Sequence, residues 1–322
     1  MGYGHLNIDE REVLLKMQAQ QIGMRQIGER LGRDASTISR ELRRNVSSTG
    51  EYKPHLAQRY YHKRRQASKA PYRLEEDVFL REYVEKKLKE YWSPEQISGR
   101  IRKDQGIPIS PLTIYSWTYR NRIEGGEFYR YLRQNHRRRR KHRRGEDRRG
   151  QIPDRRMIDN RPKVVNERKR IGDWEGDTVE GCKGSGFIAT HVERKTRYTV
   201  AVKVADKSAP TVTKATISAM KNLPPEKVKT MTFDNGKEFA GFKELERGLD
   251  RRSYFARPYH SWERGTNENT NGLLRQFFPK GLDFGTILQR DVDIALELLN
   301  NRPRKCLNYR TPTEVFWSKP MC

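Results

Sequence analysis

The sequence predicts a mixed α/β domain preceded by two all-α regions, and three observations support this. Apolar residues recur at helical spacing between helix-capping signals in the amino-terminal part of the chain. From about residue 171 onward, strand-like and helix-like segments alternate, and an arginine-rich segment separates the two parts. We divide the chain into an N-terminal helix-turn-helix domain (1–62), a second helical domain (63–133), a basic linker (134–162) and an α/β domain with a helical tail (163–322).

The composition favours a polyanionic partner. The 322 residues include 67 Lys and Arg against 41 Asp and Glu, which gives a formal net charge of +26. The positive excess is spread over both halves of the chain, so a long footprint on DNA is expected. Nucleic acid is therefore favoured over a membrane surface or another acidic partner.

Cysteine usage and hydropathy predict a soluble protein of the cytoplasm. Cys182, Cys306 and Cys322 form no CxxC pair and no zinc spacing with histidine, so they are expected to be unligated thiols in a reducing compartment. The first thirty residues do not resemble a signal peptide, and no stretch approaches the roughly 20 apolar residues of a membrane span.

The first region carries the pattern of a helix-turn-helix. Asn7 and Glu10 form a capping box, a second short helix ends at Gly32, and Asp34 can cap a third helix. The outer face of that third helix is small, polar and basic, which suits contact with base edges and phosphates. An ordinary helical bundle is the alternative. The candidate DNA contacts are Arg33, Ser36, Thr37, Ser39, Arg40 and Arg43.

The second region repeats this pattern. Ser93, Pro94 and Gln96 form a helix start, and Ser110 with Pro111 forms another after Gly106. A second helix-turn-helix and a helical spacer both fit.

The basic segment that follows is too poor in apolar residues to form a packed domain. We expect a mobile arm that lies along phosphates, rather than a localisation signal or a solubilising run. Its candidate DNA contacts are Arg137, Arg138, Arg139, Arg140 and Lys141.

The α/β region predicts three meandering strands followed by alternating helices and strands, hence a mixed sheet with helices on its faces. The expected strands are 171–181, 186–193, 198–204, 228–233 and 252–256, and the expected helices are 208–222, 237–249 and 262–278.

Three carboxylates occupy notable places in this arrangement. Asp177 lies in the first strand, Asp234 follows the fourth strand, and Glu268 lies on the helix after the fifth. Converging carboxylates would repel one another, and a pair of Mg²⁺ ions would remove that cost and could activate an attacking oxygen. Ordinary surface acids are the alternative, and alternation along the strand does not distinguish Asp177 from Asp173 and Glu175.

Long stretches of the chain resemble a known family. GDWEGDTVEG, TFDNGKEFA, RPYHSWERGTNENTNGLLRQFFPKG and LNNRPRKCLNYRTPTEVF, together with the amino-terminal QIGMRQIGERLGRDASTISREL and the later WSPEQISGRI, are similar to bacterial insertion-sequence transposases of the IS30 type. These belong to the superfamily of DDE transposases and retroviral integrases. The resemblance covers nearly the whole chain.

The resemblance implies a ribonuclease-H-like catalytic core in which Asp177, Asp234 and Glu268 are the catalytic and metal-binding residues. It implies two Mg²⁺ (or Mn²⁺) ions per active site, and Arg264, Asn271 and Arg275 are candidate DNA contacts near the metals. Its implied partners are the terminal inverted repeats of the element and target DNA, bound by a homodimer or larger assembly associated with the bacterial nucleoid. A circular intermediate is also implied, whereas no structural zinc is expected.

Two other functions stay open at this point. The chain could be a transposase-derived repressor of its own promoter, although the intact carboxylates argue against it. It could also be a structure-specific nuclease of the same fold, although two candidate reading domains favour sequence-directed end binding.

Overall fold

A computed structural model describes residues 5–46, 50–67, 72–133, 152–257, 263 and 265–318. The chain divides into two compact units, Met1–Glu76 and Asp77–Cys322. None of the helices in the described ranges is both long and apolar enough to cross a bilayer.

The first unit is helical and contains the predicted helix-turn-helix. Its helices are α1 (Ile8–Ala19), α2 (Met24–Leu31), α3 (Ala35–Asn45), α4 (Pro54–Ala67) and the single turn α5 (Arg73–Glu76). The predicted capping box is present, since the Asn7 and Glu10 side chains each accept the other residue's backbone N–H. Gly32 adopts the left-handed conformation (φ 61°) that ends α2. The core joins four helices through Leu14, Met17, Ile27, Ile38, Tyr52 and Ala57.

Three further helices begin the second unit. They are α6 (Val78–Lys89), α7 (Pro94–Gln105) and α8 (Pro111–Ile123). The predicted start at Ser93 is confirmed, because Ser93 and Gln96 form a reciprocal capping box. The Arg100 guanidinium reaches both carboxylate oxygens of Glu314 near the end of the chain, at 2.8 and 2.6 Å. These helices are therefore tied to the α/β part by an ion pair.

The predicted mixed sheet is confirmed and has five strands in the order β3-β2-β1-β4-β5. The first three strands pair antiparallel, and β4 and β5 extend the sheet in parallel with β1. The strands are β1 (Asp173–Glu180), β2 (Phe187–Glu193), β3 (Thr199–Val204), β4 (Thr230–Phe233) and β5 (Arg252–Phe255). The helices of this part are α9 (Lys163–Glu167), α10 (Ala209–Lys221), α11 (Phe242–Leu249), α12 (Gly265–Leu274), α13 (Gln289–Asn300) and α14 (Pro312–Trp317).

Each face of the sheet has its own apolar core. Trp174 belongs to the core that includes residues of α10, α11 and α14. Val179 belongs to the core that includes residues of α12 and α13. Because alternate strand residues face opposite sides, Asp173, Glu175 and Asp177 share the α12 face with Val179.

Two predicted helices have different bounds in the structure. The expected helix 237–249 is a 3-10 turn (Lys237–Phe239) followed by α11, and the break lies at Gly241. A side chain there has no room, since an ideal Cβ would lie 2.2 Å from the Thr213 hydroxyl oxygen of α10. The expected helix 262–278 ends as α12 at Leu274, after which the chain turns so that Phe278 enters the second core before Pro279.

Residues 152–162, which the sequence analysis assigns to the basic linker, pack against the α/β part. Ile152 belongs to the first core, and Met157 forms a parallel bridge with Phe255 of β5. The Arg161 side chain is buried and donates to the Thr232 hydroxyl of β4 at 3.0 Å.

Candidate active site and DNA-binding surface

The three carboxylates of β1 occupy different environments. Asp173 and Glu175 are 1% and 0% exposed, whereas Asp177, in the middle of the strand, is half-buried. Asp173 is held by Arg170 at 2.9 Å and by the Thr230 hydroxyl at 2.8 Å. Asp177 is thus the one carboxylate of this strand face that solvent or a ligand reaches.

Glu175 connects the strand to helix α12. Its carboxylate forms an ion pair with the buried Arg194, with 2.9 Å between Oε1 and Nε. The other oxygen, Oε2, accepts the backbone N–H of Asn267 at 3.1 Å. A carboxylate is favourable at the amino-terminal end of a helix, because unpaired N–H groups and the helix dipole are positive there. Glu175 therefore anchors the first turn of α12 against the sheet.

Asp234 follows directly after β4, beside Asp177. The parallel ladder pairs Glu175 with Thr232, and the same register continued by two residues sets Asp177 next to Asp234. The Asp234 carboxylate accepts the Gly236 N–H at 2.9 Å, which closes the turn after the strand. Asn235 donates to the Ala256 carbonyl oxygen at 2.8 Å and ties this turn to the end of β5.

Glu268 lies on an exposed position of α12, and the same helix bonds to Asp177. The Asn271 amide, three residues after Glu268, donates to Asp177 Oδ2 at 2.9 Å. Residues three apart share a helix face. The Thr190 hydroxyl of β2 lies 2.9 Å from the Asn271 Oδ1 atom and fixes the orientation of the amide. Asn271 thus connects the helix that carries Glu268 to the strand that carries Asp177.

The described residues contain no group of three or more His, Cys, Asp or Glu side chains gathered closely enough to hold a metal ion. Asp177 lies in β1, Asp234 directly follows the adjacent parallel strand β4, and Glu268 is on α12.

A second acidic residue supports the site from the opposite face of the sheet. Glu238 is 5% exposed, accepts the Thr178 hydroxyl at 3.1 Å and forms an ion pair with Lys207 at 2.8 Å. A side chain at Gly236 would displace this carboxylate, because an ideal Cβ at that position would lie 2.3 Å from a Glu238 carboxylate oxygen. Glu238 therefore braces the residue that follows Asp177.

A neutral, buried histidine of β2 lies next to β1. His191 of β2 is fully buried opposite Gly176, and burial lowers its pKa to about 4. Gly176 leaves room for the Phe233 ring, since an ideal Cβ there would meet the ring at 2.4 Å. The packing around Gly176 thus sets how closely β1 and β4 approach next to Asp177 and Asp234.

Most of the predicted contacts of the helix-turn-helix lie at the surface of α3. Ser36, Ser39, Arg40 and Arg43 are exposed, and Thr37 is half-buried. Arg33 instead forms an ion pair with Glu10 of α1 at 2.9 Å. A cavity of about 250 Å³ next to α3 is lined by basic residues from three helices, namely Arg11, Arg40, Arg44, Arg64 and Arg65.

The remaining predicted DNA contacts have varied positions. Arg275 follows the last residue of α12 and donates to the Glu180 carbonyl oxygen at 2.8 Å, and burial lowers its pKa. Asn271 bonds to Asp177, as described above. Arg264 and the arm residues Arg137, Arg138, Arg139, Arg140 and Lys141 lie outside the described residues.

The supporting residues were not identified by the sequence analysis. The sequence pattern offers Glu175 only as an alternative to Asp177, and it contains no signal for Arg194 or Thr190. Asn271 was expected to contact DNA, whereas the structure shows its bond to Asp177; its spacing of three residues from Glu268, which places both on one helix face, is the signal for a role in the site. The partners of Glu175 and Asp177 come from β2, from the turn that follows β2 and from α12, and such contacts are set by tertiary packing.

Comparison with known proteins matches this arrangement. A helix-turn-helix domain family matches residues 3–45, and an integrase core domain family matches residues 167–261. The transposase of insertion sequence element IS4351 from Bacteroides fragilis is 39% identical over 313 residues, which cover 97% of this chain and 95% of that protein. The transposase of IS1086 from Cupriavidus metallidurans is 38% identical over 97% of this chain and 94% of its own length.

Two further similarities extend the comparison. The transposase InsI of IS30A from Escherichia coli is 38% identical over 97% of this chain and 83% of its own length. Among solved structures, the catalytic core domain of BIV integrase has a TM-score of 0.38 and 19% identity, covering 46% of this chain and 94% of that one.

A DNA-binding helix-turn-helix joined to an integrase core defines a DDE-type transposase, a polynucleotidyl transferase of DNA transposition and integration. Enzymes with this core generally use divalent metal ions. The chain belongs to the IS30 family of insertion-sequence transposases.

Proposed function

We propose that this transposase cuts and joins DNA at a site formed by Asp177, Asp234 and Glu268. One arrangement supports this proposal above others: Asp177 lies beside Asp234 by the register of β1 and β4, and it accepts a hydrogen bond from the helix that carries Glu268. Asp177 and Asp234 are accessible carboxylates next to one another at the carboxyl end of β4. Sites of open α/β sheets gather at that end.

The donor set suits hard divalent cations. Three carboxylates provide only oxygen ligands, which Mg²⁺ prefers and Mn²⁺ also accepts. Asp177, Asp234 and Glu268 would hold two such ions. When bound, these ions activate the attacking oxygen and stabilise the leaving oxygen of a phosphodiester.

The protein's own groups orient these ligands. The Asn271 amide donates to one oxygen of Asp177, and the Thr178 N–H donates to the other at 2.8 Å. The Gly236 N–H does the same for Asp234. Donors of this kind hold the carboxylate oxygens in a fixed orientation. Residues that orient metal ligands typically contribute about 10- to 100-fold to affinity or activity.

The chemistry then needs two steps of the same kind. Water attacks a phosphodiester at the end of the element and releases a 3′-hydroxyl group. This hydroxyl attacks a second phosphodiester in the target DNA, so that one P–O bond forms as another breaks, and no covalent link to the protein arises. If the hydroxyl instead attacks the phosphodiester at the other end of the same element, the two ends are joined and a circular intermediate would form before insertion.

The amino-terminal unit would choose the DNA. We propose that α3 reads the terminal inverted repeats through Ser36, Thr37, Ser39, Arg40 and Arg43, and that the basic arm adds non-specific affinity. Both ends of an element must meet, so a homodimer or larger assembly is proposed. Membership of the transposase family does not favour a repressor or a junction nuclease.

Strand cleavage tests this proposal. Purified protein is incubated with labelled duplexes that carry the inverted repeats flanking its own gene, in Mg²⁺ or in EDTA, beside Asp234→Asn. The proposal predicts cutting and joining that need both Mg²⁺ and Asp234, with DNA binding retained in the variant. Tight and specific binding with no cutting in Mg²⁺ or Mn²⁺ would contradict it.

A further inference from the structure

A cationic cleft lies beside the first turns of α12, and the proposed chemistry does not use it. Its volume is about 270 Å³, several times the roughly 30 Å³ that one water occupies in the liquid. We call it the arginine cleft. Its lining residues come from the end of α9, the turn between β2 and β3, α12 and the segment after α13. They are Arg168, Arg197, Gly265, Thr266, Asn269, Thr270, Arg304 and Cys306.

Three guanidinium groups line the arginine cleft, and no aspartate or glutamate is among the described residues that line it. Arg168 ends α9 in the left-handed conformation (φ 54°), and Arg197 has φ 65° in the turn between β2 and β3. Arg304 follows α13. Three elements distant in sequence therefore bring like charges to one place, although each charge repels the other two.

Hydrogen bonds hold two of these arginines in position and leave donors available. Arg197 Nη1 donates to the Thr266 hydroxyl at 2.6 Å, which fixes it against the first turn of α12. Arg304 Nη2 donates to the Leu299 carbonyl oxygen at 3.0 Å. The Nε atom of Arg304 is buried and has no hydrogen-bond partner within the described part of the chain. A buried donor without a partner is costly, so an acceptor from outside would be favourable.

Burial and neighbouring positive charges lower the pKa of two of these arginines. Burial and then the neighbouring Arg197 and Arg194 lower the pKa of Arg168. Burial lowers the pKa of Arg304 to about 10, and Arg133 and Arg197 add to the effect. An anion in the arginine cleft would relieve this repulsion, and a phosphate group accepts from the planar guanidinium fork with good geometry.

The position of the arginine cleft suggests which anion it takes. Thr266, Asn269 and Thr270 line it, and Glu268 lies on the same two turns of α12. Successive helix residues are about 100° apart, so the side chain of Glu268 lies at the edge of the cleft-lining face. If the reacting phosphodiester of a DNA strand lies at Glu268, an adjacent phosphate of the same extended strand would lie at the arginine cleft.

We propose that the arginine cleft binds a backbone phosphate of the DNA strand held in the active site, next to the phosphodiester that reacts. The inference rests on the proposed function, since it takes the substrate strand to lie at Glu268. Arg168, Arg197 and Arg304 bind and position the strand and take no part in bond breaking. A phosphate contact of this kind carries no sequence information and sets the register of the strand.

Cys306 provides a native reporter, because its exposed thiol lines the arginine cleft. The full chain carrying Cys182→Ser and Cys322→Ser keeps Cys306 as its sole cysteine. Its rate of alkylation by a maleimide is measured in EDTA, with and without a saturating end duplex, and saturation is verified by fluorescence anisotropy. The proposal predicts that bound duplex slows alkylation of Cys306 severalfold.

A charge variant tests the phosphate contact itself. In Arg168→Gln, bound duplex should no longer slow the alkylation of Cys306. The slope of the logarithm of the duplex binding constant against the logarithm of salt concentration should become less steep by about 0.9, the value for one phosphate contact. Arg290→Gln removes one exposed positive charge from α13, outside the cleft, and serves as the matched control. It should leave the protection of Cys306 unchanged.

The proposal is overturned if Cys306 reacts equally fast with the duplex fully bound, a result that needs no arginine variant. It is also overturned if folded Arg168→Gln keeps the full protection and the full salt slope, or if inorganic phosphate protects Cys306 and DNA does not. All these measurements are made in EDTA, so absence of cutting in Mg²⁺ would instead contradict the proposed function.

Discussion

Removing the Asn271 amide should reduce strand cleavage and leave DNA binding intact. The amide donates to Asp177 Oδ2 at 2.9 Å, and the Thr190 hydroxyl orients it. A hydrogen bond to a charged group contributes about 1.5–3 kcal/mol, and 1.36 kcal/mol corresponds to a factor of ten in rate. Asn271→Ala should therefore slow single-turnover cleavage by about 10- to 100-fold, through a less well oriented Asp177.

Two readings distinguish this role from a contact with DNA. Cleavage is measured across a Mg²⁺ titration, and duplex binding is measured separately in EDTA. If Asn271 orients Asp177, the variant needs more Mg²⁺ and binds the duplex as the wild type does. Asn222→Ala removes an exposed amide at the end of α10 and is the matched control. Weakened duplex binding with an unchanged Mg²⁺ requirement would refute the reasoning.

Three further predictions concern stability. Gly176→Ala should lower the free energy of unfolding by about 1–3 kcal/mol, because the new Cβ would lie 2.4 Å from the Phe233 ring and overpack the core. Urea denaturation measures this change, and an unchanged denaturation midpoint would contradict the prediction. His191 is buried neutral with a pKa of about 4 against an ordinary 6.5, so the free energy of unfolding should fall by about 3 kcal/mol as the pH drops from 6.5 to 4. Denaturation of His191→Gln over that range should show a correspondingly weaker dependence, and equal pH dependence would argue against a neutral histidine. Arg100→Gln should lower the free energy of unfolding by only about 1 kcal/mol, since its partner Glu314 is 38% exposed and solvent screens the pair; a loss of 3 kcal/mol or more would mean that the screening argument is wrong.

Local signals in the sequence were enough to predict most of the elements. A helix start depends on hydrogen bonds between residues that are only three positions apart. The capping boxes at Asn7 and Ser93 could therefore be predicted from the sequence. Strand alternation and turn residues likewise predicted the mixed sheet. The helix expected over 237–249 was interrupted instead, because Gly241 lies against Thr213 of α10, and a contact between distant residues leaves no local pattern.

For the active site too, the sequence predicted part of the arrangement, and tertiary packing determined the rest. Strand alternation placed Asp173, Glu175 and Asp177 on one face but could not rank them. Burial distinguishes them, since Asp173 and Glu175 are enclosed by Arg170 and Arg194 respectively. Such pairings depend on how β1, β2 and α12 pack, and no spacing rule contains that information.

Glu268, the third proposed carboxylate, lies outside the part of the chain that matches the integrase core family. The integrase core family matches residues 167–261 and so ends before Glu268. The role proposed for Glu268 therefore depends on the resemblance of the surrounding stretch and on the bond from Asn271 to Asp177. For that reason Glu268 is the most informative residue to change.

The most direct test of the account compares single-turnover cleavage and joining by Asp177→Asn, Asp234→Asn and Glu268→Gln in Mg²⁺. Glu180→Gln, an exposed carboxylate at the end of the same strand as Asp177, is the control. The account predicts that each of the three variants binds the end duplex in EDTA as the wild type does, yet neither cuts nor joins it, while the control remains active. A folded variant of any of the three that cuts at the wild-type rate would contradict the claim that these carboxylates together form the catalytic site.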